Sequence, residues 1–247
     1  MIFRHEYRGG VWVDLEQPSE EEVRHIAEEF SIGKHIEREI LSPTPATLAD
    51  ADAGAALLIL HFPAHGAKDG DTENQEVDFI VGDRFIVTVR YEVVAPLYHL
   101  KKLLEARTLV AAQDSLTIDV LLEILFAHLY TSVRDHTNHI ASRLESIEQD
   151  MFDGRERLTV RAVSNVNREF LHTEAAVANQ EEPLGRFLKE LAARGSFGAS
   201  FAERAERILA KRAQVARVIA THRAVAAELR ETNSVLLETR QNEIMKT

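Results

Sequence analysis

Apolar positions in the first part of the chain follow two spacings, one of strands and one of helices. Val11 to Leu15 reads as a short strand, opened by the Gly9-Gly10 pair and closed by Pro18. Ser19 followed by Glu22 is a capping box, and Val23, Ile26, Ala27 and Phe30 supply the apolar stripe of a helix that Gly33 is expected to stop. A short helix from about Lys34 to Leu41 runs into Ser42-Pro43-Thr44-Pro45. Ala55 to Phe62 then reads as a buried strand, Pro63 to Asn74 as a polar loop, and Glu76 to Val81 with Phe85 to Tyr91 as a hairpin around Gly82-Asp83.

From Leu116 onward the period is helical throughout. One helix is predicted to about Phe152, with Asp153-Gly154 as its turn, and a second from about Glu156 to Gln180. Pro183 suits the first turn of a further short helix, where its missing amide is not needed, and Gly195-Ser196-Phe197-Gly198 ends that piece. Ser200 to Thr247 contains no Pro or Gly. Phe201, Ile208, Val215, His222, Leu229 and Leu236 repeat there every seven residues, with Val218 and Val225 between them. One uninterrupted helix of about 70 Å is predicted, at about 1.5 Å per residue. Such a helix must protrude or pack against something long, either the helix of residues 116–152 in its own chain or copies of itself; both can hold, since a helix has several faces.

The 247 residues, 45% hydrophobic and 28% charged, are enough for one large core or two modest ones. Cysteine is absent, which excludes disulfides, thiolate nucleophiles and Cys-based zinc sites and leaves oxygen or histidine as the ligands for any metal. No stretch reaches the roughly 18 apolar residues that cross a bilayer, and the start lacks a secretory signal, so cytoplasmic exposure is expected. The net charge of −11 is uneven: residues 201–247 hold nine Lys/Arg and six Asp/Glu, net +3, leaving −14 for the rest. Such a body attracts cations and repels nucleic acid. The basic residues Arg204, Arg207, Lys211, Arg212 and Arg217 lack interleaved aromatics, which fits a solvated face or pairing with acidic neighbours.

The final residues, Asn233-Ser234-Val235-Leu236-Leu237 and then Arg240-Gln241-Asn242-Glu243-Ile244-Met245-Lys246-Thr247, resemble the segment leading into the first membrane helix of the CorA family. Trp12-Val13-Asp14-Leu15 with Pro18 and Glu21-Glu22, Glu76-Val77-Asp78-Phe79-Ile80 with Phe85 to Arg90, and Pro183-Leu184 with Leu188 fit the same family in the same order. The resemblance implies an α+β fold, an N-terminal α/β/α sandwich with a mixed sheet (residues 1–110), a helical hairpin region (111–198) and a long stalk helix (199–247) ending just before a transmembrane segment. It implies the regulatory domain of a Mg²⁺/Co²⁺ channel on the cytoplasmic side of the cell membrane, assembled as a homopentamer, with a ZntB-like zinc transporter as the close relative. The family's Gly-Met-Asn selectivity motif does not occur, so the chain alone is not expected to conduct ions.

Family members place a carboxylate of the N-terminal domain near one on the neighbouring subunit's stalk, bridged by a divalent ion, Mg²⁺ or another. The resemblance maps the first onto Glu39 within Arg38-Glu39-Ile40-Leu41, where one of the family's two acidic residues is an arginine. Anchoring the stalk on Phe201 gives Glu203 and Glu206; counting back from Glu243 gives Arg207, which cannot coordinate a cation. Asn242 and Met245 carry over as a polar ring and part of a hydrophobic constriction at the pore mouth. Among the histidines, His136 and His139 stand i, i+3 but His136 shares the stripe of Val133 and Ile140, His61 and His65 flank Phe62-Pro63-Ala64 at a strand end, and His222 sits on the seam as a polar layer or a protonatable ring. Nucleophile-elbow, Walker, dinucleotide and His-Glu-x-x-His motifs are missing, and no enzyme chemistry is expected. The alternatives are a self-contained helical interaction protein and a metal-dependent enzyme with carboxylates converging in a cleft.

Overall fold

The computed structural model describes residues 1–7, 9–64, 73–108 and 116–245. Six strands, β1 (Ile2–Tyr7), β2 (Gly10–Glu16), β3 (Leu48–Ala51), β4 (Ala56–Pro63), β5 (Asn74–Val81) and β6 (Phe85–Arg90), form one sheet in the order β1-β2-β6-β5-β4-β3. The β2–β6 pair is parallel and the others antiparallel, so the sheet is mixed. Gly10 opens β2 as expected; a side chain there would run into the Arg84 carbonyl.

Alternation divides the strands between two cores. Val13, Leu15, Leu57, Ile59, Ile80, Val87 and Val89 face α1 (Glu20–Glu29) and α2 (Lys34–Glu39), which contribute Val23, Ile26 and Ile36. Trp12, Leu58, Leu60, Phe79, Val81 and Ile86 face the opposite way, onto α3 (Ala95–Thr108), α4 (Ile118–Phe152), α6 (Glu181–Arg194) and the first half of α7 (Phe201–Met245). The result is the α/β/α sandwich with long helices that the sequence led one to expect. The capping box is formed: the Glu22 amide donates to the Ser19 hydroxyl at 3.2 Å and the Ser19 amide to the Glu22 carboxylate at 2.8 Å. The stop is placed differently, because Ser31 adopts the left-handed turn (φ +54°) and Gly33 instead caps the start of α2.

Strands β1 and β3 and helix α3 are absent from the sequence reading. The strands flanking residues 64–73 each run further than the polar loop allowed, to Pro63 and from Asn74, and residues 65–72 of that loop lie outside the described residues. α5 (Glu156–Asn179) follows the turn at Asp153-Gly154, and Gly195 ends α6 at φ +71°.

The seam of α7 is satisfied within the chain. Phe201, Ile208 and Val215 join the sheet-side core, while Leu229 packs with Ile140, Leu144, Met151, Val166 and Phe170 of α4 and α5. The α4–α5 turn lies beside the far end of α7, where the Arg240 guanidinium donates to the Gly154 carbonyl at 3.2 Å. Val218 and Val225 do not share this burial; Val225 is 44% exposed.

Candidate functional site

The carboxylates that the resemblance singles out sit on different layers. Glu39 is exposed at the end of α2, and Glu203 and Glu206 are exposed on the first turns of α7. Helix α2 covers one face of the sheet and the start of α7 the other. A single chain therefore does not bring Glu39 to Glu203 or Glu206. Among the described residues, no three His, Asp or Glu side chains converge as a metal site. The three glutamates fit a divalent ion only if a second subunit supplies the missing ligands.

Where α4 and α7 begin side by side, guanidinium groups already stand against the carboxylates. Arg204 bonds Asp119 and, at 2.8 Å, Glu123; Arg207 holds both Glu123 oxygens at 2.6 and 3.0 Å. The bond from Arg207, more than that from Arg204, holds the Glu123 carboxyl below the usual range in spite of its partial burial. Arg212 is buried and reaches the Val177 carbonyl at 3.2 Å and Glu181 at 3.0 Å. Arg204, Arg207 and Arg212, three of the five basic residues singled out in the sequence, thus meet an acidic side chain of their own chain.

At the far end Asn242 is exposed and Met245 is 82% exposed. Lys246 and Thr247 lie outside the described residues. His139 is exposed and His136 half-buried, while Thr137 takes the buried place between Val133 and Ile140. His222 is half-buried and stacks on Phe170 with ring centroids 6.0 Å apart, so it belongs to the contact between α5 and α7 within one chain. His65 lies outside the described residues.

Two further charged clusters, both unforeseen from the sequence, lie inside the sheet domain. On the α3 side, Asp14 is fully buried and accepts from Arg90 at 2.9 Å, Lys101 at 3.2 Å and Thr88 at 2.7 Å, while Trp12 donates to Thr88 at 3.0 Å. On the α2 side, Glu76 and Asp78 are both buried. Glu76 accepts from the Thr44 amide at 2.7 Å, and its Oε2 lies 3.2 Å from His61 Nε2, which donates to the Thr44 carbonyl at 2.9 Å. The bond to Glu76, followed at some distance by that to the Thr44 carbonyl, raises the His61 pKa although burial opposes it. His61 also lines a cleft of about 730 Å³ with Thr47, Asn74, Asn179 and Glu182. The signal for both clusters was available: Asp14, Glu76 and Asp78 occupy inward positions of strands covered on both faces, where every side chain is buried.

A mixed sheet sandwiched by helices and continued by a 45-residue helix is the architecture of the soluble part of a CorA-type transporter. The family model described as CorA-like Mg²⁺ transporter protein matches residues 7–247, and the chain belongs to that family. The complete CorA magnesium transporter from Methanocaldococcus jannaschii superposes with a TM-score of 0.80 at 16% identity, covering 99% of this chain and 75% of that one. Its soluble domain, solved separately, gives 0.71 at 15% identity over 90% and 86%. The ZntB cytoplasmic domain from Vibrio parahaemolyticus gives 0.68 at 10% identity over 94% and 89%. No curated protein matches the sequence. At these identities the structural likenesses establish the fold.

Proposed function

We propose that the chain is the cytoplasmic, cation-responsive domain of a CorA-type divalent cation channel at the cell membrane, non-enzymatic and working as a homopentamer. The observation that carries this reading is the family match through residue 247 onto a helix that runs unbroken from Phe201 to Met245. In the proposal α7 is the stalk, Asn242 and Met245 face the pore mouth, and a following apolar segment enters the membrane. The exposed positions Val225 and Val235, left uncovered by α4 and α5, supply an apolar edge for a neighbouring subunit.

Glu39 of one subunit and Glu203 or Glu206 of the next are the carboxylates free to share Mg²⁺ or another divalent ion. Without the ion, like charges repel across the junction and the contact loosens; with it, a hard cation and oxygen ligands draw the subunits together. The acidic body repels nucleic acid, which is not a partner. A ZntB-like zinc role is the second reading, favoured by the likeness of fold to that domain. Light scattering on the chain with and without millimolar Mg²⁺ or Zn²⁺ tests both. A metal-dependent rise in mass toward a pentamer, abolished in Glu39→Gln, is expected, and the more effective ion separates the readings. A mass that ignores both metals would sink cation-responsive assembly of this domain.

A further inference from the structure

Asp78 and Glu76 stand two residues apart on the α2-facing side of β5, so two buried carboxyl groups share one face of one strand. Two carboxylates cannot share a hydrogen bond unless one of them carries a proton. Other partners point to the same protonation. Asp78 Oδ1 is buried with no donor among the described residues. The Tyr91 hydroxyl lies 3.2 Å from Asp78 Oδ2 and 3.1 Å from the Ile40 carbonyl, and its single proton serves only one of them. Glu76 has a donor of its own in the Thr44 amide, and His61 stands beside it.

Among the described residues, the charged groups around the pair supply no cation to Asp78. From α2, Glu37 bonds Lys34 at 2.7 Å, Arg38 donates to the Lys34 carbonyl, and Glu39 is exposed. From β6, Arg90 faces the other side of the sheet with Asp14. From β4, His61 meets Glu76. Burial foremost, then the charge of Glu76, raises the Asp78 pKa well above its ordinary value, which agrees with the geometry.

We propose that Asp78 and Glu76 share one proton as a latch, and that its loss as pH rises frees the segment from Ile40 to Thr44, which follows Glu39. Protonated Asp78 donates to Glu76, Glu76 holds the Thr44 amide, and the Tyr91 hydroxyl is left to hold the Ile40 carbonyl. With both carboxyls ionised, adjacent buried charges repel and Tyr91 is drawn to Asp78, away from Ile40. The backbone that carries the candidate ligand Glu39 then has fewer anchors. The device acts within one subunit and stands whether or not the chain assembles as proposed above.

Amide hydrogen exchange of residues 40–47, expressed as protection relative to the intrinsic rate at each pH, tests the latch in the intact chain. Protection is expected to fall by about tenfold or more as pH rises from 5.5 to 9, the change that one unit of pKa difference supports, and to stay level in Asp78→Asn. Glu76→Gln, which removes the repelling charge, moves the fall to lower pH. Infrared spectra of the unmodified chain carrying ¹³C-labelled Asp provide a readout without substitution: a protonated carboxyl band at pH 5.5, above the ordinary carboxyl value, that fades as the pH is raised. Level protection in the unmodified chain, an equal fall in Asp78→Asn, or no such band at pH 5.5 would overturn the proposal.

Discussion

Asp14 and Asp78 are both fully buried in the same sheet, on opposite faces, and they solve one problem in opposite ways. Asp14 meets two cations, Arg90 and Lys101, and a hydroxyl. Asp78 meets another acid and a phenol. A buried carboxylate is tolerable when paired and hydrogen-bonded; without a cation it keeps its proton instead. Of two aspartates in similar strand settings, one is therefore held by cations and the other by burial and a neighbouring acid, which raise its pKa well above the ordinary carboxyl value.

The largest test of this contrast removes the cation from the paired side. Arg90→Ala leaves Asp14 with Lys101 alone and strips Glu16 of its partner as well. Breaking a buried pair in this way costs about 3–5 kcal/mol, read as a drop in the urea midpoint at unchanged slope. A loss below about 1 kcal/mol would mean that the pair behaves like a surface ion pair.

On the unpaired side the effect has the opposite sign. The folded chain keeps the Asp78 proton above 3.8, where the unfolded carboxyl releases it, so its contribution is fully present below that value and is lost as pH rises toward the folded pKa. His61, raised above 6.5 by Glu76, acts in the same direction but only at higher pH. Between about pH 4 and pH 6 the difference therefore isolates Asp78. Asp78→Asn is expected to gain on the unmodified chain by up to about 1.4 kcal/mol per pH unit across that window, measured as urea midpoints at several pH values. A constant difference would assign Asp78 an ordinary ionised state.

Removing only the second cation is a smaller perturbation. Lys101→Met keeps Arg90 on Asp14 and keeps an apolar stem near Phe3, over whose ring the ammonium now stands 5.0 Å from the centroid. A loss of about 1–3 kcal/mol is expected, less than for Arg90→Ala, because Arg90 bonds both Asp14 oxygens and Lys101 only one.

These clusters mark the boundary of what sequence patterning conveys. The capping box at Ser19, the strands Val11–Leu15 and Phe85–Tyr91 and the long final helix follow from local spacing and were legible. Helix α3 was not, since Lys101 occupies one of its buried positions beside Leu97, Leu100 and Leu104 and blurs the stripe. Strand β3 has four residues and an exposed Asp50. The seam of α7 was legible as a seam, but heptad spacing does not say whether its partner is the same chain; α4 and α5 provide that partner for most of it. Likewise the spacing of Glu39, Glu203 and Glu206 could not reveal that the sheet lies between them.

The smallest expected effect lies at the surface, where α4 and α7 meet. Arg207 grips both oxygens of Glu123, but it is half exposed, and Arg204 holds the same carboxylate from the other side. Solvent screens the pair and the second guanidinium covers its loss, so Arg207→Ala is expected to cost about 0–1 kcal/mol. The loss should shrink further when salt is raised from 0.05 to about 1 M, where the screening length falls to about 3 Å. Arg90→Ala should be insensitive to the same change, because no salt reaches Asp14. If Arg207→Ala instead destabilised the chain as much as Arg90→Ala, and equally at high salt, the start of α7 would be held by a desolvated charge cluster of the Asp14 kind.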